Sequence, residues 1–437
     1  MYDLLLVNSP LYSEGQSNNE DYLPPIGLAY IATYAFDKGK RVSILDAINR
    51  GLSVKEVIDE INHSNPTYLG INLFSTNYEL VKKICESINE NIKILIGGNI
   101  TTFCYKDISE WNTKSKTFIV IGEGEKIVFD IISDNIQEQA FYTYQNAYTY
   151  MVNKESVYFN KELDLLHLNR RFIENGYRNV NNQIENSIIT SRGCPFNCAY
   201  CGSARSINKH TTVRRRTFHN INQELFEIET NNPDVTCVRV LDDLFLMDNS
   251  SISKAAKMFM LHPKLSWRAM AHIHTLKNGV DLFNSLYESG CSELFIGIES
   301  GSKKIRDFID KKGEISDIID VIQRLLRAKI QVKAYFILGF PDETEEDIEA
   351  TYQLAKQLFE YSKQVDVKFR VSSFKFRPYH GTKLYKYISK HRHNIKLSHD
   401  NKTYGKDSFN FTGGNFSCVS DDLIDEYMAK MDEMRGD

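Results

Sequence analysis

No apolar run in this 437-residue chain approaches the eighteen or so residues needed to cross a bilayer. The opening MYDLLLVNSP holds only a short apolar run and no basic start, which is not the pattern of a secretory leader. Charge of neither sign dominates, since the formal net charge is -4. That excludes a general electrostatic pull toward nucleic acid or an anionic membrane. The one basic run, Arg214–Arg216, lacks interleaved aromatics and reads as a solvated or ion-paired stretch. Internal repeats and low-complexity tracts are absent as well. The expectation is a cytoplasmic protein with reduced thiols and with neither nucleic acid nor membrane as partner.

What is present is an ordinary globular balance, with 42% hydrophobic and 25% charged residues. The chain is too long for one core, so two or three domains are expected. Over residues 1–139, short apolar runs alternate with helical patterns: DLLLVNS, RVSILDA, TYLGINLF, IKILIGG and TFIVIG as strands, with helices at 25–39, 54–62 and 77–89. The strand runs are apolar throughout, as in parallel strands covered on both faces. A doubly wound, Rossmann-like α/β domain follows from this. Its ligands belong at the carboxyl ends of the strands, where small or polar residues collect: Asn8, Ser75, Gly97, Gly98, Gly122 and Glu123.

Residues 140–185 lose the pattern and read as a linker with short antiparallel strands. Over 186–380 the alternation resumes, with six strands and helical crossovers. This predicts a partial (β/α)6 barrel with its chemistry at the strands' carboxyl ends. Residues 381–437 form an extension whose polar part, 401–417, is placed to cover one mouth, with a last helix near 422–434.

Three of the eight cysteines, Cys194, Cys198 and Cys201, share the short stretch SRGCPFNCAYCGSA at the end of the first barrel strand. A structural zinc needs a fourth ligand, and His210 is the nearest one offered. A disulfide would leave an odd thiol and is disfavoured in a reducing compartment. An iron–sulfur cluster held by three thiolates leaves one iron open to an outside ligand. The remaining five cysteines lie far apart, mostly in apolar patterns, and read as buried, inert thiols.

The stretch CPFNCAYC resembles the cluster loop of the radical S-adenosylmethionine (radical SAM) enzymes, C-x3-C-x-aromatic-C. VRVLDDLF, LFIGIES, FILGFPDET and FRPYHGTKLY follow in the order of the strand signatures of the cobalamin-type subgroup, although that subgroup more often has proline near His380. The front domain resembles the cobalamin-binding domain of the same subgroup. The resemblance implies that Cys194, Cys198 and Cys201 hold a [4Fe-4S] cluster whose open iron binds S-adenosylmethionine. It places Tyr200 near the adenine, Asp242 or Asp243 near the methionine amine, Glu299 and Ser300 near the ribose, and Leu338 and Gly339 near the adenine. It implies reductive cleavage to a 5′-deoxyadenosyl radical that takes a hydrogen from a small-molecule or peptide substrate. An electron donor such as flavodoxin or ferredoxin is the implied partner.

Each residue also has a plainer reading. Paired aspartates after a strand often make a turn or cap a helix, Glu299 can cap the helix that follows, and Tyr200 can simply pack.

The front domain lacks D-x-H-x-x-G, the motif whose histidine ligates cobalt from below. Its one histidine, His63, stands at a helix end. Two outcomes stay open: cobalamin bound without a protein histidine at Asn8, Ser75, Gly97, Gly98, Gly122 and Glu123, implying methyl transfer to an unactivated carbon, or an empty scaffold and a cobalamin-free radical reaction. A non-catalytic zinc protein is the third.

Overall fold

The computed structural model describes residues 1–10, 23–173, 177–179, 181–208, 212–391 and 414–435. The chain divides into two compact units near residue 175. His210, residues 401–413 of the expected mouth cover, and parts of the linker lie outside the described residues.

The first unit is built on β1 (Leu4–Asn8), β2 (Val42–Asp46), β3 (Tyr68–Asn72), β4 (Lys93–Gly97), β5 (Thr117–Ile121), β6 (Tyr142–Tyr144) and β7 (Ala147–Met151). The strand order is β2-β1-β3-β4-β5-β7-β6, parallel except for β6 against β7. The hairpin expected in the linker therefore extends this sheet. Five helices connect the strands: α1 (Ile26–Asp37), α2 (Val54–Ser64), α3 (Tyr78–Ser87), α4 (Thr101–Ser109) and α5 (Glu125–Ile132). α2 starts in a capping box between Ser53 and Glu56. Every residue of β1 and β5 is buried, because helices cover both faces. The chain steps outward from β1 to β2, then crosses back to β3. The carboxyl ends of β1 and β3 thus flank the topological switch point, where such sheets open a crevice.

The second unit contains β8 (Tyr177–Arg178), β9 (Ile184–Ile188), β12 (Cys237–Val240), β13 (Ser266–Ala271), β14 (Cys291–Glu299), β15 (Gln331–Leu338) and β16 (Phe369–Lys375), ordered β16-β15-β14-β13-β12-β9-β8. Six run parallel, as expected for a partial barrel, and β8 pairs antiparallel to β9. A small ribbon, β10 (Ser191–Arg192) and β11 (Arg214–Arg215), flanks the cysteine loop. The helices are α6 (Phe218–Asn231), α7 (Asn249–Phe259), α8 (Ile273–Leu276), α9 (Phe283–Glu288), α10 (Lys303–Phe308), α11 (Ile315–Arg327), α12 (Glu345–Val365), α13 (Lys383–His391) and α14 (Asp421–Asp432). The apolar core lies between the sheet's outer face and these helices. Val238, Trp267, Ile296, Phe336 and Val371 all belong to it.

The inner face is different. Arg268 of β13 bonds Glu185 of β9 at 2.6 Å and Glu293 of β14 at 2.8 Å through Nε. Arg370 of β16 bonds the same Glu293 at 2.7 Å. Arg268 thus ties Glu185 of the first parallel strand to Glu293, which Arg370 reaches from the last, so the sheet is curled and has an ionic floor. Burial raises the carboxyls of Glu185 and Glu293, but their guanidinium partners outweigh it and hold both below the usual range.

Candidate active site at the carboxyl ends of the barrel strands

The cysteine loop leaves the end of β9 and is tied down by residues other than its cysteines. Asp242, just past β12, accepts from Thr190 N at 2.6 Å, Thr190 Oγ1 at 2.5 Å and Ser191 Oγ at 2.6 Å. Asp243 accepts from Gly193 N at 3.0 Å and Ser203 Oγ at 2.6 Å. Ala199 N donates to Ile309 O at 2.8 Å. Burial raises Asp242 to about 6, against the opposing effect of its hydroxyl and amide donors. Both aspartates thus clamp the loop.

Cys194 and Cys201 are half-buried and Cys198 is buried. Burial pushes all three thiols up, Cys201 to about 12. A cation is what would offset that burial and hold them as thiolates. Ser203 N already donates to Cys201 Sγ at 3.4 Å. Among the described residues, no three cysteine, histidine or carboxylate side chains converge as a single enclosed ion requires. Cubane ligands each hold a separate iron and need not converge in that way. Three thiols on one anchored loop therefore fit the iron–sulfur group.

Beside the loop stands a group centred on Lys311, which sequence reasoning did not single out. Its Nζ bonds Glu299 Oε1 at 2.9 Å and the Tyr200 hydroxyl at 3.4 Å. Burial would lower the ammonium, but Glu299 and Cys198 outweigh it and the net shift is upward. Burial and then Glu299 push the Tyr200 phenol well up. Glu299 sits at φ 69°, after a register shift in β14. Its carboxylate folds across Gly297, where an added Cβ would lie 2.1 Å from Oε1. The glycine of IGIES is there to let that carboxylate pass.

Other expected residues turn inward to the protein. Ser300 is fully buried, and its hydroxyl bonds Thr351 Oγ1 at 3.1 Å and accepts from Ser302 N. Leu338 points into the helical core, and its carbonyl accepts from Phe376 N. Gly339, at φ 90°, donates to Glu343 Oε2 at 2.6 Å and accepts from Phe416 N at 3.0 Å.

A second residue missed from sequence is His272, which follows β13. Its ring stacks on Phe196 of the cysteine loop, with centroids 4.2 Å apart. Nδ1 accepts from His274 N at 3.1 Å, and buried Nε2 has no partner. Burial, then Lys311 and Arg306, lower it to about 2, so the ring is neutral.

In the first unit, the switch-point crevice carries a polar row. Asn8 Nδ2 donates to Asp46 Oδ1 at 2.8 Å, and Asn72 Nδ2 to Asn8 Oδ1 at 3.2 Å. Asn72 Oδ1 is buried without a partner. A Cβ at Gly97 would meet nothing within 4 Å, so open space lies there. At Gly98, φ 122°, it would lie 2.2 Å from Leu73 O, and at Gly122, φ 99°, 2.3 Å from Val152 O. These two glycines serve the close approach of backbone to backbone. Ser75 is buried, and Glu123 Oε2 accepts from Asn160 N at 3.1 Å. An orphaned amide oxygen beside unfilled space suits a large polar-rimmed cofactor.

Two family models match the chain: the Radical SAM superfamily over residues 188–355 and the B12 binding domain over residues 18–131. The barrel, its cysteine loop and the first match define a radical SAM enzyme. With a B12 binding domain preceding that barrel, the chain is a cobalamin-dependent radical SAM enzyme, with a [4Fe-4S] cluster, S-adenosylmethionine and cobalamin as its cofactor set. It is 27% identical over 384 residues to an uncharacterized methyltransferase of Pyrococcus horikoshii, covering 83% of this chain and 78% of that one. It is 23% identical to the anaerobic magnesium-protoporphyrin IX monomethyl ester cyclase of Rubrivivax gelatinosus, over 80% of this chain and 65% of that one. Among solved structures, the methyltransferase TsrM of Kitasatospora setae superposes with a TM-score of 0.65 at 16% identity, covering 89% of this chain and 76% of that one. The cobalamin-dependent radical enzyme OxsB gives 0.66 at 14%, covering 89% and 60%. At such identities these two establish a shared fold.

Proposed function

We propose that this enzyme methylates an unactivated carbon of a small-molecule or peptide substrate. The observation that carries the reading is the pairing of an anchored three-cysteine loop with a front domain whose crevice is polar-rimmed and open at Gly97. When bound, the cluster supplies the electron that cleaves S-adenosylmethionine, and cobalamin carries the methyl group.

The chain's own residues do the positioning. Cys194, Cys198 and Cys201 hold the cluster. Lys311 sets a positive charge beside it for the methionine carboxylate, and Glu299 takes the ribose hydroxyls. Tyr200, in edge-on contact with Phe340 at 5.8 Å, walls the adenine. Asp242 and Asp243 act through the loop that they clamp. Ser300, Leu338 and Gly339 shape the pocket through the backbone that they order.

Asn8, Asn72 and Gly97 face cobalamin, while Ser75, Gly98, Gly122 and Glu123 fix the loops around it. His63 ends α2, whose amino end follows the carboxyl end of β2, so it lies toward the opposite edge of the sheet. His63 then does not reach cobalt, and cobalamin binds without a histidine from residues 1–139. The functional blocks follow as 1–139 for cobalamin, 140–185 as connection, 186–380 as barrel and 381–437 as extension. A small electron-transfer protein of the flavodoxin or ferredoxin type serves as reductant.

Anaerobic reconstitution followed by product analysis by mass, with and without cobalamin, tests the reading. The wild type should form 5′-deoxyadenosine and a product heavier by one methyl group, the latter only with cobalamin. Cys198→Ala should lose both iron and 5′-deoxyadenosine. Stoichiometric zinc in place of iron, or equal turnover without cobalamin, would sink it.

A further inference from the structure

Above the ionic floor, the inward positions of the barrel are the accessible ones. Arg239, Met270, Tyr335, Ile337 and Phe374 are all partly exposed, while Val240, Ala271, Phe336 and Leu338, facing the helices, are buried. A sheet closed on a solid core buries its inner positions, so this lumen is open above its floor. One wall is aromatic: Phe295, Tyr335 and Phe374 follow one another with centroids 6.5 and 5.9 Å apart. The Arg239 guanidinium lies over Phe295, 4.6 Å from its centroid.

Among the described residues, Arg239 makes no ion pair and no hydrogen bond. The carboxylate that feels its charge is Glu185, which already accepts from Arg268, Tyr177 and Asn179. Two carboxylates on this inner face, Glu185 and Glu293, are thus set against three guanidinium groups, Arg268, Arg370 and Arg239. A half-buried cation without a counter-charge is costly unless a ligand brings the anion. A guanidinium presents a planar fork suited to a carboxylate, and its aromatic backing keeps that fork in place.

We infer that Arg239, backed by the buried Phe295, anchors a carboxylate of the substrate, whose aromatic body rests against Tyr335 and Phe374. The inference rests on the reading above only in that the substrate enters the barrel, and it names the substrate class: an aromatic or heteroaromatic carboxylate.

Ligand-observed NMR titration of the reconstituted full chain, under anaerobic conditions, with phenylacetate and its neutral amide phenylacetamide tests this. The wild type should bind the carboxylate at least about tenfold more tightly than the amide. Arg239→Leu should lose that preference, and Arg239→Lys should keep part of it. Iron content and circular dichroism establish that each variant is folded. If Arg239→Leu fails to fold, Arg239→Lys and the wild-type preference decide. Equal affinity of the wild type for both probes, no binding of phenylacetate, or an undiminished preference in Arg239→Leu overturns the inference. Formation of 5′-deoxyadenosine by the wild type without either probe tests the radical SAM reading separately.

Discussion

Asp242 stands where the motif order expects a contact to the cosubstrate, and within the protein it is bonded to the start of the cysteine loop. The motif order places it beside the methionine amine, yet its oxygens are taken by Thr190 and Ser191. In Asp242→Asn a single oxygen remains, and turning it to the two hydroxyls sets the amide NH2 against the Thr190 N–H. The loop should loosen, and iron and S-adenosylmethionine binding should fall together. Iron and sulfide per chain measure this, and intact iron with weakened binding would place Asp242 on the cosubstrate instead. Glu343 gives a pH signature. Burial raises its carboxyl to about 8, although Gly339 N and Phe340 N donate to Oε2, and Oε1 is buried without a partner. An acid raised in the fold binds its proton more tightly there than in the unfolded chain. Stability should therefore fall as pH rises from about 4.5 to about 8, by at most roughly 5 kcal/mol. Glu343→Gln should flatten that slope and be the more stable form above pH 8, read by denaturant unfolding at pH 5 and pH 9.

At the scale of elements, the strands were legible because helices cover them on both sides. Runs such as LLLVN and TFIVI are apolar at every position and need no partner to be recognised. The inner face of the barrel was not legible. Arg268, Glu293 and Arg370 are far apart in sequence, and each reads as one charge within a strand until the sheet curls and brings them together. Lys311 and His272 fall outside any motif, and only the fold brings them to the cysteine loop. Leu338 was misleading in another way. Alternation along β15 sends it to the helices and leaves Ile337 facing the lumen. The glycines at the end of β4 separate by the same kind of detail. Gly97→Trp fills open space and should abolish cobalamin binding while the cluster still assembles. Gly98→Ala meets the Leu73 carbonyl and should destabilise the first unit, by roughly 1–3 kcal/mol or more. His63→Ala should leave cobalamin affinity and the cobalt absorption spectrum as in the wild type. A loss there would mean that the histidine reaches the metal.

For the whole molecule, each unit has its own sheet and its own apolar core. Units of this kind unfold as separate cooperative blocks when few contacts tie them together. Calorimetry of the apoprotein should resolve two transitions. Cobalamin should raise one and cluster reconstitution the other, each by the mass-action term for a ligand that binds only the folded state. A single transition moved by both would show that the units fold as one.

The register shift in β14 has a consequence of its own. Gly297 pairs with Tyr335, yet Glu299, two residues on, pairs with Phe336, one residue on. The direction of Glu299 is set by how many residues precede it as much as by what it is. Removing Ile298 would restore regular alternation and turn the carboxylate toward the helical core, although every chemical group of the site were still encoded. Anyone transplanting this barrel's rim into another scaffold would have to move residues 297–300 as a cassette of fixed length.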